Sequence, residues 1–121
     1  MATALTLGAV QPILPVADME TAIGFYRRLG FDVESYDAGY AWVSFDGDEL
    51  LHLRLVPELD PVANAASCYF HVPDADAWHS RWSSAGVDVD APQEQPWGFR
   101  EFAVTDPSGN TLRVGHRLHH H

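Results

Sequence analysis

The chain has 121 residues, 46% of them hydrophobic and 20% charged, a balance that fits one globular domain with a real core and excludes a disordered chain. Seventeen acidic residues against seven basic ones give a net charge of −10, a field that repels nucleic acid and anionic membranes and attracts cationic small molecules. No stretch reaches the roughly 18 uninterrupted apolar residues of a membrane helix, Met1 to Val10 lacks the marks of a leader, and the single Cys68 excludes an internal disulfide, so the expected compartment is the cytoplasm.

In chain order, Thr3 to Val10 forms a small apolar arm running into a strand expected over Ala9 to Val16. Asp18 stands where an N-cap belongs. Met19, Ile23, Tyr26 and Leu29 then fall at i, i+4, i+7 and i+10, one apolar stripe of a helix that Gly30 ends. Strands follow at Tyr40 to Phe45 and Leu50 to Val56, joined through Asp46-Gly47-Asp48. In the second of these Leu51, Leu53 and Leu55 share the core face, and His52 and Arg54 point the other way. Pro57 to Ala66 reads as a linker. Beyond it come a strand at Ser67 to Val72, with Cys68 on its core face, and a helix capped by Asp74 with Trp78, Trp82 and Ala85 as its stripe. Gly86 ends that helix. Strands at Phe99 to Thr105 and Thr111 to His116 flank the turn Asp106-Pro107-Ser108-Gly109-Asn110. Leu112 and Val114 face the core in the last strand, leaving Thr111 and Arg113 opposite. His119, His120 and His121 look like the remainder of a purification tag.

The same sentence is written twice, 56 residues apart: Val16 answers Val72, Asp18 answers Asp74, Gly30 answers Gly86, Asp32 answers Asp88 and Val33 answers Val89. The fold class is therefore α+β, two βαβββ modules at about 8–57 and 67–117 in pseudo-twofold repeat within one domain, residues 1–118. A concave mixed sheet is expected, with the helices on its outer side. Its open face would carry the polar groups and the aromatics Tyr36, Tyr40, Trp42, Tyr69, Trp97 and Phe102, a lining suited to a binding groove.

The repeat, with Asp18 opening a helix that closes in Tyr26-Arg27-Arg28-Leu29-Gly30-Phe31, resembles the vicinal oxygen chelate superfamily of glyoxalases, extradiol dioxygenases, fosfomycin-resistance transferases and bleomycin-resistance proteins. The likeness spans about residues 9 to 116. Its sharpest part is Glu94-Gln95-Pro96-Trp97-Gly98, then Arg100-Glu101-Phe102 and Asp106-Pro107-Ser108-Gly109-Asn110. Bleomycin-sequestering proteins carry a very similar run, with one residue fewer between the glycine and the arginine.

The resemblance implies metal positions on the first and last strand of each module, which fall here at Gln11, Ser67, His52 and Arg113. Gln11 and His52 have ligand chemistry; Ser67 is poor, and Arg113 puts a fixed cation where a carboxylate belongs. No metal and no other cofactor is therefore expected, nor any catalytic residue: Cys68 has no base beside it, Ser67 no His–Asp support, and His71 and His79 stand alone. The expected function is a non-catalytic protein that sequesters a cationic, partly aromatic antibiotic of the bleomycin class. Trp97, Tyr40 and Tyr36 would stack on it, Phe102, His52 and Arg113 would line the groove, and Glu101 would balance ligand charge. The resemblance further implies a homodimer with its grooves at the interface, with exchange of the N-terminal strand. Two other readings stay open: a binding or biosynthetic protein for another natural product, and a metal-dependent lyase or dioxygenase.

Overall fold

Both expected helices form, and both begin on their aspartate. In the computed structural model, which describes residues 4–118, α1 spans Met19–Arg28 and α2 spans Ala75–Ser84. The amide of Thr21 donates to Asp18 Oδ1 at 3.0 Å and that of Ala77 to Asp74 Oδ1 at 3.2 Å. The first of these bonds holds the Asp18 carboxyl below its usual range. Gly30 and Gly86, at φ 93° and 80°, take the left-handed turn out of each helix. The proposed tag residues His119 to His121, and Thr3 at the head of the arm, lie outside the described residues.

Among the described residues eight strands complete the two modules: β1 Ile13–Val16, β2 Asp32–Asp37, β3 Tyr40–Phe45, β4 Asp48–Leu55, β5 Ser67–His71, β6 Gln93–Glu94, β7 Phe99–Thr105 and β8 Thr111–Arg117. The mixed sheet is divided into two of four strands, ordered β1-β4-β3-β2 and β5-β8-β7-β6. In each the first and last strands of a module pair in parallel and the other pairs are antiparallel. Each βαβββ unit thus closes its own sheet, as the repeat requires.

Two elements depart from expectation. The first strand begins at Ile13 rather than Ala9, because its ladder with β4 starts at the pair Ile13 and His52. Upstream, Leu5, Leu7 and Val10 are more than nine-tenths exposed. The second module's edge strand shrinks to Gln93–Glu94, bounded by Pro92 and Pro96, which have no amide proton to give a ladder.

One core serves both modules. It runs from Leu14, Val16, Tyr26 and Leu29 through Val43, Leu51 and Leu53 to Trp82, Leu112 and Val114. Polar bonds stitch the halves together inside it. The Trp82 indole donates to the Leu29 carbonyl at 2.9 Å. The turn after β7 does more than reverse the chain: Asp106 Oδ2 accepts from the Tyr26 hydroxyl at 2.6 Å, Asn110 Nδ2 donates to the Pro15 carbonyl at 2.8 Å, and Ser108 Oγ accepts from the Ala17 amide at 3.0 Å. Burial, with the Asp106 carboxylate alongside, pushes the Tyr26 hydroxyl far above its ordinary range.

Cys68 packs against this core. Burial first, and the Asp106 carboxylate second, push its thiol up to about 11. Because only the thiolate attacks, alkylation at pH 8 is expected to run about a hundredfold slower than for a free cysteine. Rates of iodoacetamide alkylation in native and denatured protein check this; equal rates would contradict the burial.

Candidate functional site

Strand alternation sends every second side chain of each sheet away from the helices, and the two sheets make different use of that face. In the first module β3 contributes Tyr40 and Trp42, and β4 places His52 across from Trp42 and Arg54 across from Tyr40. The β2–β3 ladder slips between Ser35 and Asp37, a bulge that leaves Tyr36 unpaired in the ladder and brings its ring to 5.8 Å from Trp42. Tyr40 and Trp42 lie 6.3 Å apart, and His52 is 5.4 Å from Tyr40 and 6.4 Å from Trp42. All four contacts are near perpendicular, at 73° to 90°. Tyr36 is 70% exposed, and the shallow hollow it shares with Tyr40, Trp42 and Arg54 encloses about 590 Å³.

A hydrogen-bonded chain braces this platform from one end. The Tyr40 hydroxyl lies 2.6 Å from His52 Nδ1, and His52 Nε2 lies 2.9 Å from Glu49 Oε1. Both ring nitrogens are thus engaged and the imidazole is fixed in orientation.

In the second module the open face mixes aromatic and charged groups: the rings of Tyr69 and His71 lie 4.7 Å apart, and Phe99 lies 6.0 and 6.1 Å from them. Tyr69, on β5, donates from its hydroxyl to Glu101 Oε2 on β7 at 2.7 Å. Glu101 is 6% exposed, against an ordinary solvated glutamate. Arg113 of β8 sits between Tyr69 and Ala103 in the ladders and is exposed. Gly115, opposite Glu101, makes the pair possible: a Cβ there would overlap the Tyr69 hydroxyl and stand 2.9 Å from the Glu101 Cβ. Gly115→Ala is therefore expected to destabilise the fold by about 1–3 kcal/mol and to break the Tyr69–Glu101 bond. Thermal unfolding reads the first effect and the Tyr69 phenol titration the second; a variant matching the parent in both would contradict the packing.

The expected site residues thus separate. Tyr36, Tyr40 and His52 come together on the first face, and Glu101 and Arg113 on the second. Trp97 is 62% exposed on the β6–β7 connection and makes no aromatic contact among the described residues. Phe102 needs correction as a groove residue. Its ring is 4% exposed and packs in the core, 5.6 Å from Trp82 and 5.4 Å from His79, because the β7–β8 register sets it opposite Val114. Gln93 and Glu49 were not singled out by sequence, and Tyr69 and Trp42 were named only among the aromatics of the open face, without the Glu101 bond of the one or the central position of the other. Alternation from Cys68 and from Tyr40 supports that placement of Tyr69 and Trp42.

The four positions at which the resemblance implies a divalent metal do not suit one here. His52 has both nitrogens occupied, Gln11 reaches back toward the Glu49 carbonyl at 3.4 Å, and Ser67 and Arg113 complete a set with one fixed cation. Among the described residues no three His, Cys, Asp or Glu side chains converge as a ligand set. No helix among them is long and apolar enough to cross a membrane.

Comparison with known proteins gives one family. Residues 6–114 match the model of the glyoxalase/bleomycin resistance protein/dioxygenase superfamily. The chain is 34% identical over 112 residues to a bleomycin resistance protein of Klebsiella pneumoniae, covering 85% of this chain and 87% of that one. Among solved structures, a bleomycin-binding protein complexed with bleomycin superposes with a TM-score of 0.84 at 29% identity, covering 92% of this chain and 99% of that one. The bleomycin-binding protein of Streptomyces verticillus complexed with copper(II)-bleomycin superposes with a TM-score of 0.79 at 28% identity, over 97% of this chain and 100% of that one.

Proposed function

The chain belongs to the glyoxalase/bleomycin resistance protein/dioxygenase superfamily, and on that premise we propose that it is a non-catalytic binding protein that sequesters a cationic, aromatic antibiotic of the bleomycin class and so confers resistance. The observation that carries this reading is the open aromatic platform of Tyr36, Tyr40 and Trp42, braced by His52 and lying in a chain of net charge −10. Flat aromatic ligand groups gain about 1 kcal/mol per well-placed ring contact beyond area burial, and cationic ones gain a similar amount over an aromatic face. Trp97 would stack from the other side of the groove, with Arg113 lining it and Glu101 balancing ligand charge. The drug's own metal would travel with the drug, so the poor ligand set of the protein is no obstacle. The working compartment would be the cytoplasm, and residues 1–118 would act as one domain.

Assembly follows from the division of the site. The Tyr36, Tyr40 and Trp42 platform and the face that carries Glu101 and Arg113 belong to separate sheets, and the exposed apolar arm with Leu5, Leu7 and Val10 has no cover in its own chain among the described residues. The reading is a homodimer in which the first module of one protomer faces the second module of its partner, with the arm exchanged and two equivalent grooves formed.

Calorimetric titration of the tag-free, chelator-dialysed protein with metal-free and copper-loaded bleomycin tests the function. Saturable binding at micromolar affinity or tighter, one ligand per chain, is the expected result, together with a weakening of about tenfold in Trp97→Ala. Absence of heat with either form would move the assignment to another natural product. Light scattering on the same samples tests the dimer, and a monomer of unchanged affinity would refute the shared groove.

A further inference from the structure

Two carboxylates are buried among the described residues, and they are treated very differently. Asp106 is 3% exposed and every direction around it is filled: Oδ1 accepts from the amides of Ser108 and Asn110, and Oδ2 from Tyr26 and the Asn110 side chain. Glu101 is 6% exposed and has one protein donor, Tyr69, on Oε2; its Oε1 has no partner among the described residues. Among the described residues no fully buried side-chain oxygen or nitrogen lacks a partner, so Oε1 is the oxygen of this carboxylate that remains open to solvent and free to accept from a ligand.

Glu101 borders a hollow of about 260 Å³ whose other walls include Gln93, Gln95, Asp90 and Arg113. Arg113 stands on the same face, near enough to Tyr69 to offset part of the rise that burial and Glu101 impose on its hydroxyl. It forms no ion pair with Glu101. Opposite Arg113 in the β7–β8 ladder is Ala103, too small to fill the space between the two charges. The hollow therefore sets the Glu101 and Asp90 carboxylates and the Arg113 guanidinium around one space, with no ion pair joining Glu101 to Arg113.

Resting on the sequestration reading above, we propose that this hollow is a subsite for a primary carboxamide of the ligand, whose N–H donates to Glu101 Oε1 and whose carbonyl accepts from the Arg113 guanidinium. A ligand carboxylate is attracted by Arg113 but repelled by Glu101 and by the net charge of the chain. An ammonium is attracted by Glu101, by Asp90 and by the net charge of the chain, but has no acceptor to offer the Arg113 guanidinium. A carboxamide satisfies both charges with one planar neutral group, and its second N–H faces a wall carrying the acceptors of Gln93 and Gln95. Tyr69 acts as a positioning residue, tying down Oε2 so that Oε1 points to the ligand.

The test compares bleomycin with derivatives in each of which one primary carboxamide has been hydrolysed to the carboxylate, on the parent protein and on Glu101→Gln and Tyr69→Phe. The parent is expected to bind one of the hydrolysed forms about tenfold or more weaker than bleomycin, since a site built for a hydrogen-bonding group rejects the analogue that lacks it. Glu101→Gln, which keeps the size of the side chain and the acceptor for Tyr69, is expected to lose about tenfold in affinity for bleomycin and to narrow that preference, because its amide can donate to the carboxylate. Tyr69→Phe is expected to lose a smaller factor and to leave the preference in place. A parent that binds bleomycin while Glu101→Gln matches it in affinity and preference overturns the subsite and leaves sequestration standing. A parent that binds no form removes sequestration and the subsite with it.

Discussion

Asp106→Ala is expected to destabilise the protein by about 3–5 kcal/mol, enough to leave it unfolded or barely folded if its total stability is in the ordinary range of about 5–15 kcal/mol. The carboxylate collects four donors, from the Tyr26 hydroxyl, the Ser108 and Asn110 amides and the Asn110 side chain. Tyr26 and Asn110 are fully buried, so their donors would have no water to turn to. Each orphaned donor costs about 1–3 kcal/mol, and the alanine leaves a void where the carboxylate stood. Tyr26→Phe separates the contributions: it removes one of the four donors, and Asp106 keeps the other three, so a loss of about 1–2 kcal/mol is expected. Denaturant unfolding measures both. A midpoint for Asp106→Ala within about 1 kcal/mol of the parent would show that the turn reverses the chain without joining the modules.

That junction also explains what could be read from sequence and what could not. The caps at Asp18 and Asp74, the stripes of α1 and α2 and the strands β3 and β7 were legible because each is a local pattern, and the constant offset of the repeat fixed their order. Asp106-Pro107-Ser108-Gly109-Asn110 was legible as a turn. Its bonds to Tyr26, Pro15 and Ala17 join residues 80 to 95 positions apart, which no local pattern encodes. The faces of β7 show the same limit. Phe99 and Ala103 are as apolar as Phe102 and Val104, so alternation leaves the strand's inner side open. Pairing decides it: Phe102 meets Val114 and Val104 meets Leu112, both core residues of β8, which turns Phe102 inward and Glu101 toward the open face. Closing the hairpin from the Asp106 turn gives that register, so the signal was present in the turn rather than in the strand. The short β6 is another case, where two prolines override the repeat.

Trp42→Ala is expected to weaken bleomycin binding by about 30- to 100-fold, the largest effect of any single change on the aromatic face. Trp42 is the hub of that face, with Tyr36 and Tyr40 packed against it and His52 opposite it in the β3–β4 ladder. Truncation removes the largest apolar surface available to a flat ligand group, and also frees Tyr36, which is 70% exposed and has no other aromatic neighbour among the described residues. A buried tryptophan contact at the centre of a binding face is worth about 2–3 kcal/mol, which gives the stated factor. The half-buried ring contributes to stability as well, so about 1 kcal/mol of destabilisation is expected, and binding is to be measured well below the unfolding temperature. Tyr40→Phe is the contrasting change: it keeps the ring beside Trp42 but removes the hydroxyl that holds His52, so a loss of no more than about tenfold is expected. If Trp42→Ala remains folded and binds as the parent does, the platform of the first module is not where the ligand stacks. The stacking would then fall to the exposed Trp97 and to the Tyr69, His71 and Phe99 rings of the second module, since charge alone, screened over about 8 Å at physiological salt, is too weak to hold the ligand.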